Sequence, residues 1–249
     1  MVYESIRFIW IYIRPILGLI PFKYYKLITE WRRKKYVGRF GESINENTDL
    51  IIEAHARSGN SFAYHSFVFA QNRELNVAHH LHQPNHVIEA IKYNIPSIVI
   101  IRNPDDVVIS YKIRSPHVTF WNAYYSYYLF YWRLKPYLGD IILATFEEIT
   151  SNYKIPIERL NKKYKLNYNL YDNSTENDKK VFEIIETQML KKNNKKNINE
   201  DKIARPSNHR EKNKKSVSQN ILLMKNSIVR KKTYELYEYY INYHKMNNE

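Results

Sequence analysis

The sequence predicts an α/β fold in three layers, a central parallel sheet flanked by helices. Three observations carry that expectation. Four short runs, Asp49–Ala56, Leu75–His80, Ser97–Arg102 and Asp140–Thr145, are rich in β-prone apolar residues. Two of them, "SIVIIR" and "DIILAT", are nearly continuously apolar, the pattern of strands buried on both faces. A helical stretch follows each run, and strands alternating with helices specify parallel pairing with helical crossovers. The chain has 249 residues and no cysteine, so it can bury a sizeable core but can build neither a disulfide framework nor a thiolate metal site.

The elements follow in order. Residues 1–48 read as an N-terminal helical arm. Its apolar stretch is interrupted by Arg7 and Arg14 and kinked by Pro15 and Pro21, so it is a poor membrane span. Two readings remain: an amphipathic helix on a membrane surface, giving peripheral membrane contact through residues 1–35, or an element packed on the core, which is preferred. Residues 49–150 form the regular α/β core. In it, Ser61–Gln71, Pro84–Tyr93 and Asp105–Tyr111 read as helices, residues 118–137 as a long aromatic helix, and "FEEI" as a helix start after the last strand. Residues 151–249 form a helical region, with surface helices at 151–170 and 178–195 and an amphipathic helix at 218–244. The polar, basic stretch 193–216 reads as a mobile loop or lid. The expectation is one domain without internal repeats. The net charge of +14 suggests an anionic partner, although a Lys-, Asn- and Ile-rich composition can also arise from nucleotide bias. The lack of cysteine makes a cytoplasmic compartment the simpler assumption, membrane-peripheral if the arm lies on a bilayer. No nucleic-acid-reading motif is present.

The chemistry concentrates at "HARSGNSF", residues 55–62. A strand running through a glycine loop into a helix is the layout of a phosphate-binding loop, whose amides and helix N-terminus cradle an anion. A triphosphate loop places lysine directly after the second glycine, then a hydroxyl for Mg²⁺. Here Asn60 stands at the lysine position, Ser61 keeps the hydroxyl, and the cation is Arg57. A second strand, "SIVII", runs into Arg102, where a metal-binding aspartate would serve a triphosphatase. Two anion cradles at strand ends lie in one crevice of an open parallel sheet.

These residues carry a resemblance. "HARSGNSF" resembles the 5′-phosphosulfate loop Y-P-K-S-G-T-T-W of the sulfotransferases that use PAPS (3′-phosphoadenosine 5′-phosphosulfate). "IRNPDDVVISYKIR" (Ile101–Arg114) resembles their 3′-phosphate motif R-N-P-x-D-x-x-x-S, "VAHHLH" (Val77–His82) the K-T-H-L-P strand end, and "LATFEEIT" (Leu143–Thr150) their Y-E-D-L element. The resemblance covers about residues 50–150 and implies a P-loop-like fold, PAPS as co-substrate, PAP as product and no metal. It implies that Arg57 replaces the loop lysine and that Ser58, Gly59, Asn60 and Ser61 bind the 5′-phosphate. It also implies that Phe62 stands for the tryptophan that stacks on adenine, and that Arg102 and Ser110 hold the 3′-phosphate. The family's R-K-G-x-x-G segment is absent; Arg205 or Arg210, in "RPSNHREKNKK", is the candidate substitute.

Sulfuryl transfer needs a base for the acceptor proton and stabilisation of the sulfuryl oxygens. A neutral imidazole suits the first task, and Arg57 with the loop amides the second. The K-T-H-L-P alignment makes His80 the base, with His82 the reserve. Strand alternation puts both on one face and turns His79 away. H-x-H could chelate, but no carboxylate or thiolate at ligand spacing joins it. The acceptor, a glycan, lipid or small molecule bearing a hydroxyl or amine, is not named by the sequence. The competing readings are a kinase-like phosphotransferase using ATP and Mg²⁺, and a non-enzymatic basic protein binding nucleic acid or membrane.

Overall fold

The apolar runs pair as parallel strands. The computed structural model describes residues 12–35, 42–193 and 208–247. Among them, β1 (Leu50–Ala54), β2 (Val77–His79), β3 (Ser97–Ile101) and β4 (Ile142–Thr145) form one sheet in the order β2-β1-β3-β4. Every neighbouring pair is parallel, with Ile51 opposite both Ala78 and Ser97, and Ile100 opposite Ala144. The strands are shorter than expected, β1, β2 and β3 at their carboxyl ends and β4 at its amino end. Leu75–His80 stops at His79 because His80 takes a left-handed conformation, φ 62°, which no strand accommodates.

Helices cover both faces, as the expected three-layer α/β architecture requires. They are α1 (Phe22–Lys35), α2 (Asn60–Ala70), α3 (Pro84–Lys92), α4 (Pro104–Arg114), α5 (Phe120–Leu134), α6 (Phe146–Ser151), α7 (Lys154–Tyr164), α8 (Thr175–Asn193), α9 (Asn208–Ile221) and α10 (Ile228–Met246). Strand alternation divides the core. Ile51, Val99, Ile101 and Leu143 face one way, packing with Val87 of α3, Tyr127 and Tyr131 of α5 and Tyr240 of α10. Leu50, Ile52, Ile98 and Ile100 face the other, packing with Phe67 of α2, Ile157 of α7 and Val181 of α8. The aromatic helix is therefore core. Its Tyr131 hydroxyl donates to the Ile100 carbonyl at 2.6 Å and its Tyr127 hydroxyl to the Arg102 carbonyl at 2.7 Å.

Two expectations are corrected in the C-terminal half. Helix α7 is a surface helix with one buried side, Pro156, Ile157 and Leu160, packed beside β3 and β4. The amphipathic stretch 218–244 is two helices, α9 and α10, separated at residues 222–227. Within the stretch 193–216 expected to be a loop, residues 194–207 lie outside the described residues, but from Asn208 onward the chain is helical. Helix α9 packs against α4, and its Ile221 enters a cluster with Val108, Val118 and Tyr124. The arm is docked: Phe22, Tyr25 and Thr29, spaced i, i+3 and i+7, are the buried side of α1.

Candidate active site

The carboxyl ends of β1 and β3 carry the two predicted motifs. After β1 the chain turns tightly, the Ser58 amide donating to the His55 carbonyl at 3.3 Å. Arg57 and Gly59 both take positive φ, 74° and 99°. Gly59 is required there, because a Cβ would stand 3.0 Å from Cδ2 of Phe146 in a conformation that suits only glycine. Helix α2 begins at the next residue, so its unbonded amides open toward the loop.

After β3, Asn103 caps α4, its Oδ1 accepting from the Asp105 amide at 3.0 Å, and Pro104 fills the first helical position. This turn brings the predicted residues together. The Arg57 Nε donates to Ser110 Oγ at 3.0 Å, and Arg102 Nη1 donates to the Arg57 carbonyl at 3.1 Å. The Arg102 guanidinium also lies 3.9 Å from the centre of the Phe146 ring. Arg57, Arg102 and Ser110 are thus one connected group beside the α2 N-terminus, with Arg57 bridging the loop and the turn after β3. Two guanidinium groups and a hydroxyl at a helix N-terminus are the donor set for phosphate or sulfate oxygens.

The remaining loop residues divide. Ser58 is fully buried. Asn60 is also buried and turns inward, its Nδ2 3.5 Å from Glu53 Oε2 and 3.4 Å from His82 Nδ1. Ser61 Oγ lies 3.0 Å from His80 Nε2. Phe62 is a core side chain, 5.2 Å from Phe182 and 6.1 Å from Tyr171 between ring centres, so its ring has neighbours from α8 and the segment before it where the resemblance implies an adenine. Arg205 lies outside the described residues, and Arg210 falls in the first turn of α9.

The histidines do not follow strand alternation. His80 and His82 both have left-handed φ, 62° and 52°, so Val77–His82 ends in a bend. His79 is not turned away: its Nδ1 is 2.5 Å from His80 Nδ1, and its ring stacks on Tyr64 at 3.7 Å. His82 Nδ1 is 2.8 Å from the Ala54 carbonyl. A carbonyl only accepts, so Nδ1 carries the proton and Nε2 the lone pair. Burial, and then the Arg14 charge, hold His82 well below the ordinary imidazole pKa. The same causes bring His55 down to about 3. Both rings are neutral at pH 7.

Four participants were not singled out from sequence. Phe146 supports both Gly59 and Arg102. Glu53 lies buried in β1. Arg14 donates to the Leu81 carbonyl at 2.6 Å. His55 lies 3.0 Å from Ser126 Oγ. A small open cleft lies beside the loop, lined among others by Arg14, His55, His82, Gln83, Tyr111 and Phe130. Among the described residues no group of three or more His, Cys, Asp or Glu side chains is placed to hold a metal ion.

No protein-family model matches the chain, and no curated protein matches it in sequence. Among solved structures it is similar to the crystal structure of mouse sulfotransferase SULT7A1 complexed with PAP. That similarity has a TM-score of 0.41 and 12% identity, and it covers 79% of this chain and 90% of that chain.

Proposed function

We propose that the protein is a sulfotransferase that moves a sulfuryl group from PAPS to a hydroxyl or amine of an acceptor bound in the cleft. One observation carries the reading: Arg57, Arg102 and Ser110, from three separate places in the sequence, meet in one hydrogen-bonded group at the amino end of α2. A cluster of two cations and a hydroxyl at such a point suits a ligand with several anionic oxygens. The donor set is cationic and neutral, whereas Mg²⁺ prefers carboxylate and phosphate oxygens, which weighs against the phosphotransferase reading. The match of these residues to the two phosphate motifs of the sulfotransferases points the same way.

PAPS, when bound, supplies an activated sulfuryl group whose leaving oxygen belongs to a phosphate. The loop amides and Arg57 receive the charge that grows on that phosphate as the sulfur–oxygen bond breaks. Arg102 and Ser110 hold the second anionic group and fix the register. A base takes the acceptor proton as the new bond from sulfur to the acceptor oxygen or nitrogen forms. Of the two candidates, His82 is the better supported. The Ala54 carbonyl sets its tautomer, leaving the Nε2 lone pair, and the ring lines the cleft. His80 contacts Ser61 Oγ and His79 through its two nitrogens, and its reading is to hold the loop hydroxyl. Burial makes His82 a weak base in the free protein. The negative charge of a bound phosphosulfate would raise its pKa toward the working range.

Calorimetric titration tests this. PAP is expected to bind without divalent metal at micromolar strength, and Arg102→Ala to weaken it by about tenfold or more, the worth of a charge-assisted hydrogen bond. ATP binding that requires Mg²⁺, with no affinity for PAP, would move the chain to the phosphotransferase class. Binding of neither nucleotide, with binding to nucleic acid or vesicles that falls steeply with salt, would make it a basic binding protein.

A further inference from the structure

Glu53 is a carboxylate in the middle of a strand whose other residues are apolar, and it is fully buried. Such a group persists only when it is paired or richly hydrogen-bonded. Around it stand donors. The Leu81 amide donates to Oε1 at 2.6 Å and the His82 amide to Oε2 at 3.0 Å. The Ala54 amide lies 3.3 Å from Oε2, with Asn60 Nδ2 at 3.5 Å. His86 Nδ1 is 3.2 Å from Oε1. The tautomer of His86 follows from its other nitrogen, which accepts the Ile44 amide at 3.0 Å. That nitrogen is a lone pair, so the ring proton is on Nδ1 and goes to Glu53.

The two short backbone bonds fall on a bend that local geometry does not favour. His80 and His82 flank Leu81, and both hold left-handed φ, a conformation costly for residues other than glycine. Glu53 accepts the amides of Leu81 and His82 at the second half of this bend. Its chain neighbour Ala54 accepts the His82 ring proton. Consecutive residues of β1 therefore grip His82 at two points, the backbone amide at 3.0 Å and Nδ1 at 2.8 Å. The contact of His82 Nδ1 with Asn60 is longer, 3.4 Å, so the carbonyl decides the tautomer. The same carboxylate reaches the phosphate loop through Asn60 and α3 through His86.

We infer that Glu53 is a positioning residue: it holds the histidine bend against the end of β1, so that His82 keeps one tautomer and presents the Nε2 lone pair to the cleft. The catalytic meaning of that placement rests on the sulfotransferase reading; the placement does not. An apolar side chain at position 53 would leave both bend amides facing no acceptor, and an amide would leave one of them facing a donor, a penalty that a merely space-filling core residue would not incur.

The test reads placement and nucleotide binding separately. In wild-type protein, nitrogen-15 NMR of the imidazoles is expected to show His82 as a single Nδ1–H tautomer. The Leu81 and His82 amides are expected to be protected from hydrogen exchange although they lie outside any strand. Glu53→Gln keeps the volume but turns one acceptor into a donor. The variant is expected to lower His82 amide protection by about tenfold or more and to mix the tautomers. Unprotected bend amides in the wild type would overturn the inference, and this measurement stands even if Glu53→Gln does not fold. A folded Glu53→Gln with unchanged tautomer and protection would overturn it equally. Failure of PAP to bind would instead defeat the sulfotransferase reading and leave the His82 results standing on their own.

Discussion

His55 shows how much one side chain in this site depends on its surroundings. It is the first residue after β1, buried among Tyr111, Tyr127 and Phe130, with ring centres 6.0, 5.5 and 6.2 Å away. Burial first, and the Arg14 charge second, lower its pKa from 6.5 to about 3. In the unfolded chain it titrates near 6.5. Between those values the unfolded chain holds a proton that the folded protein excludes. The stabilisation from a neutral His55 is therefore complete above pH 6.5 and is lost as pH falls toward 3, by about 1.4 kcal/mol per pH unit. His82 acts in the same direction, its pKa being lowered for the same reasons. Urea unfolding at pH 7.5, 6.5 and 5.5 should show a stability loss below pH 6.5. His55→Gln, which cannot titrate, should remove about 1.4 kcal/mol per unit of that slope. An unchanged slope would mean that protons reach His55 in the folded state.

At the scale of elements, the C-terminal helix braces the turn that carries Arg102. Arg230 of α10 pairs with Asp105 through both guanidinium edges, Nε to Oδ1 at 3.2 Å and Nη2 to Oδ2 at 2.8 Å. The Tyr124 hydroxyl donates to the same Oδ1 at 2.5 Å, and burial and Asp105 together hold the phenol above its ordinary pKa. Asp105 lies in the first turn of α4, directly after Arg102-Asn103-Pro104. Two helices thus clamp the segment that aims Arg102 and Ser110. Arg230→Ala leaves the partly buried Asp105 with a hydroxyl in place of a cation. It should cost about 1–2 kcal/mol of stability and weaken PAP binding several-fold, read by thermal unfolding and calorimetry. A stability loss with unchanged PAP affinity would mean that α10 supports the fold and not the turn.

At the scale of the whole molecule, the net charge and the exposed side of the arm together give one testable expectation. The chain carries a net charge of +14, and α1 has two apolar sides. One is docked on the core through Phe22 and Tyr25; the other exposes Tyr24, Leu27 and Ile28, with Leu27 67% exposed. Lys23 and Lys26 interleave with the exposed residues and are themselves exposed. No helix among the described residues is long and apolar enough to cross a membrane. An apolar face bordered by lysines is the pattern that settles at the headgroup boundary of an anionic bilayer. The protein should therefore co-sediment with vesicles containing phosphatidylglycerol and much less with phosphatidylcholine alone. The double substitution Leu27→Glu and Ile28→Glu should abolish this. Equal recovery of the double variant would show that charge alone draws the protein down, or that α1 faces something else.

Much of this was legible in the linear chain. Alternating apolar runs and helical stretches specified the parallel sheet because strand burial on both faces leaves a direct mark on composition. Gly59 was readable because a tight loop restricts which residue can stand there. Other features depended on contacts between distant segments. Strand periodicity assigned faces to His79, His80 and His82, but periodicity holds only while the backbone stays extended. Two left-handed residues ended it, and the bend is held by Glu53, 28 and 29 residues away from Leu81 and His82. The union of Arg57 with Ser110 spans 53 residues, and Phe62 became core because α8 closed over it. The sequence by itself determined the layers and the tight glycine loop between β1 and α2, which follow from local pattern and backbone restriction. Only the tertiary structure decided the tautomer of His82, because a tautomer is set by whichever acceptor the fold brings to the ring.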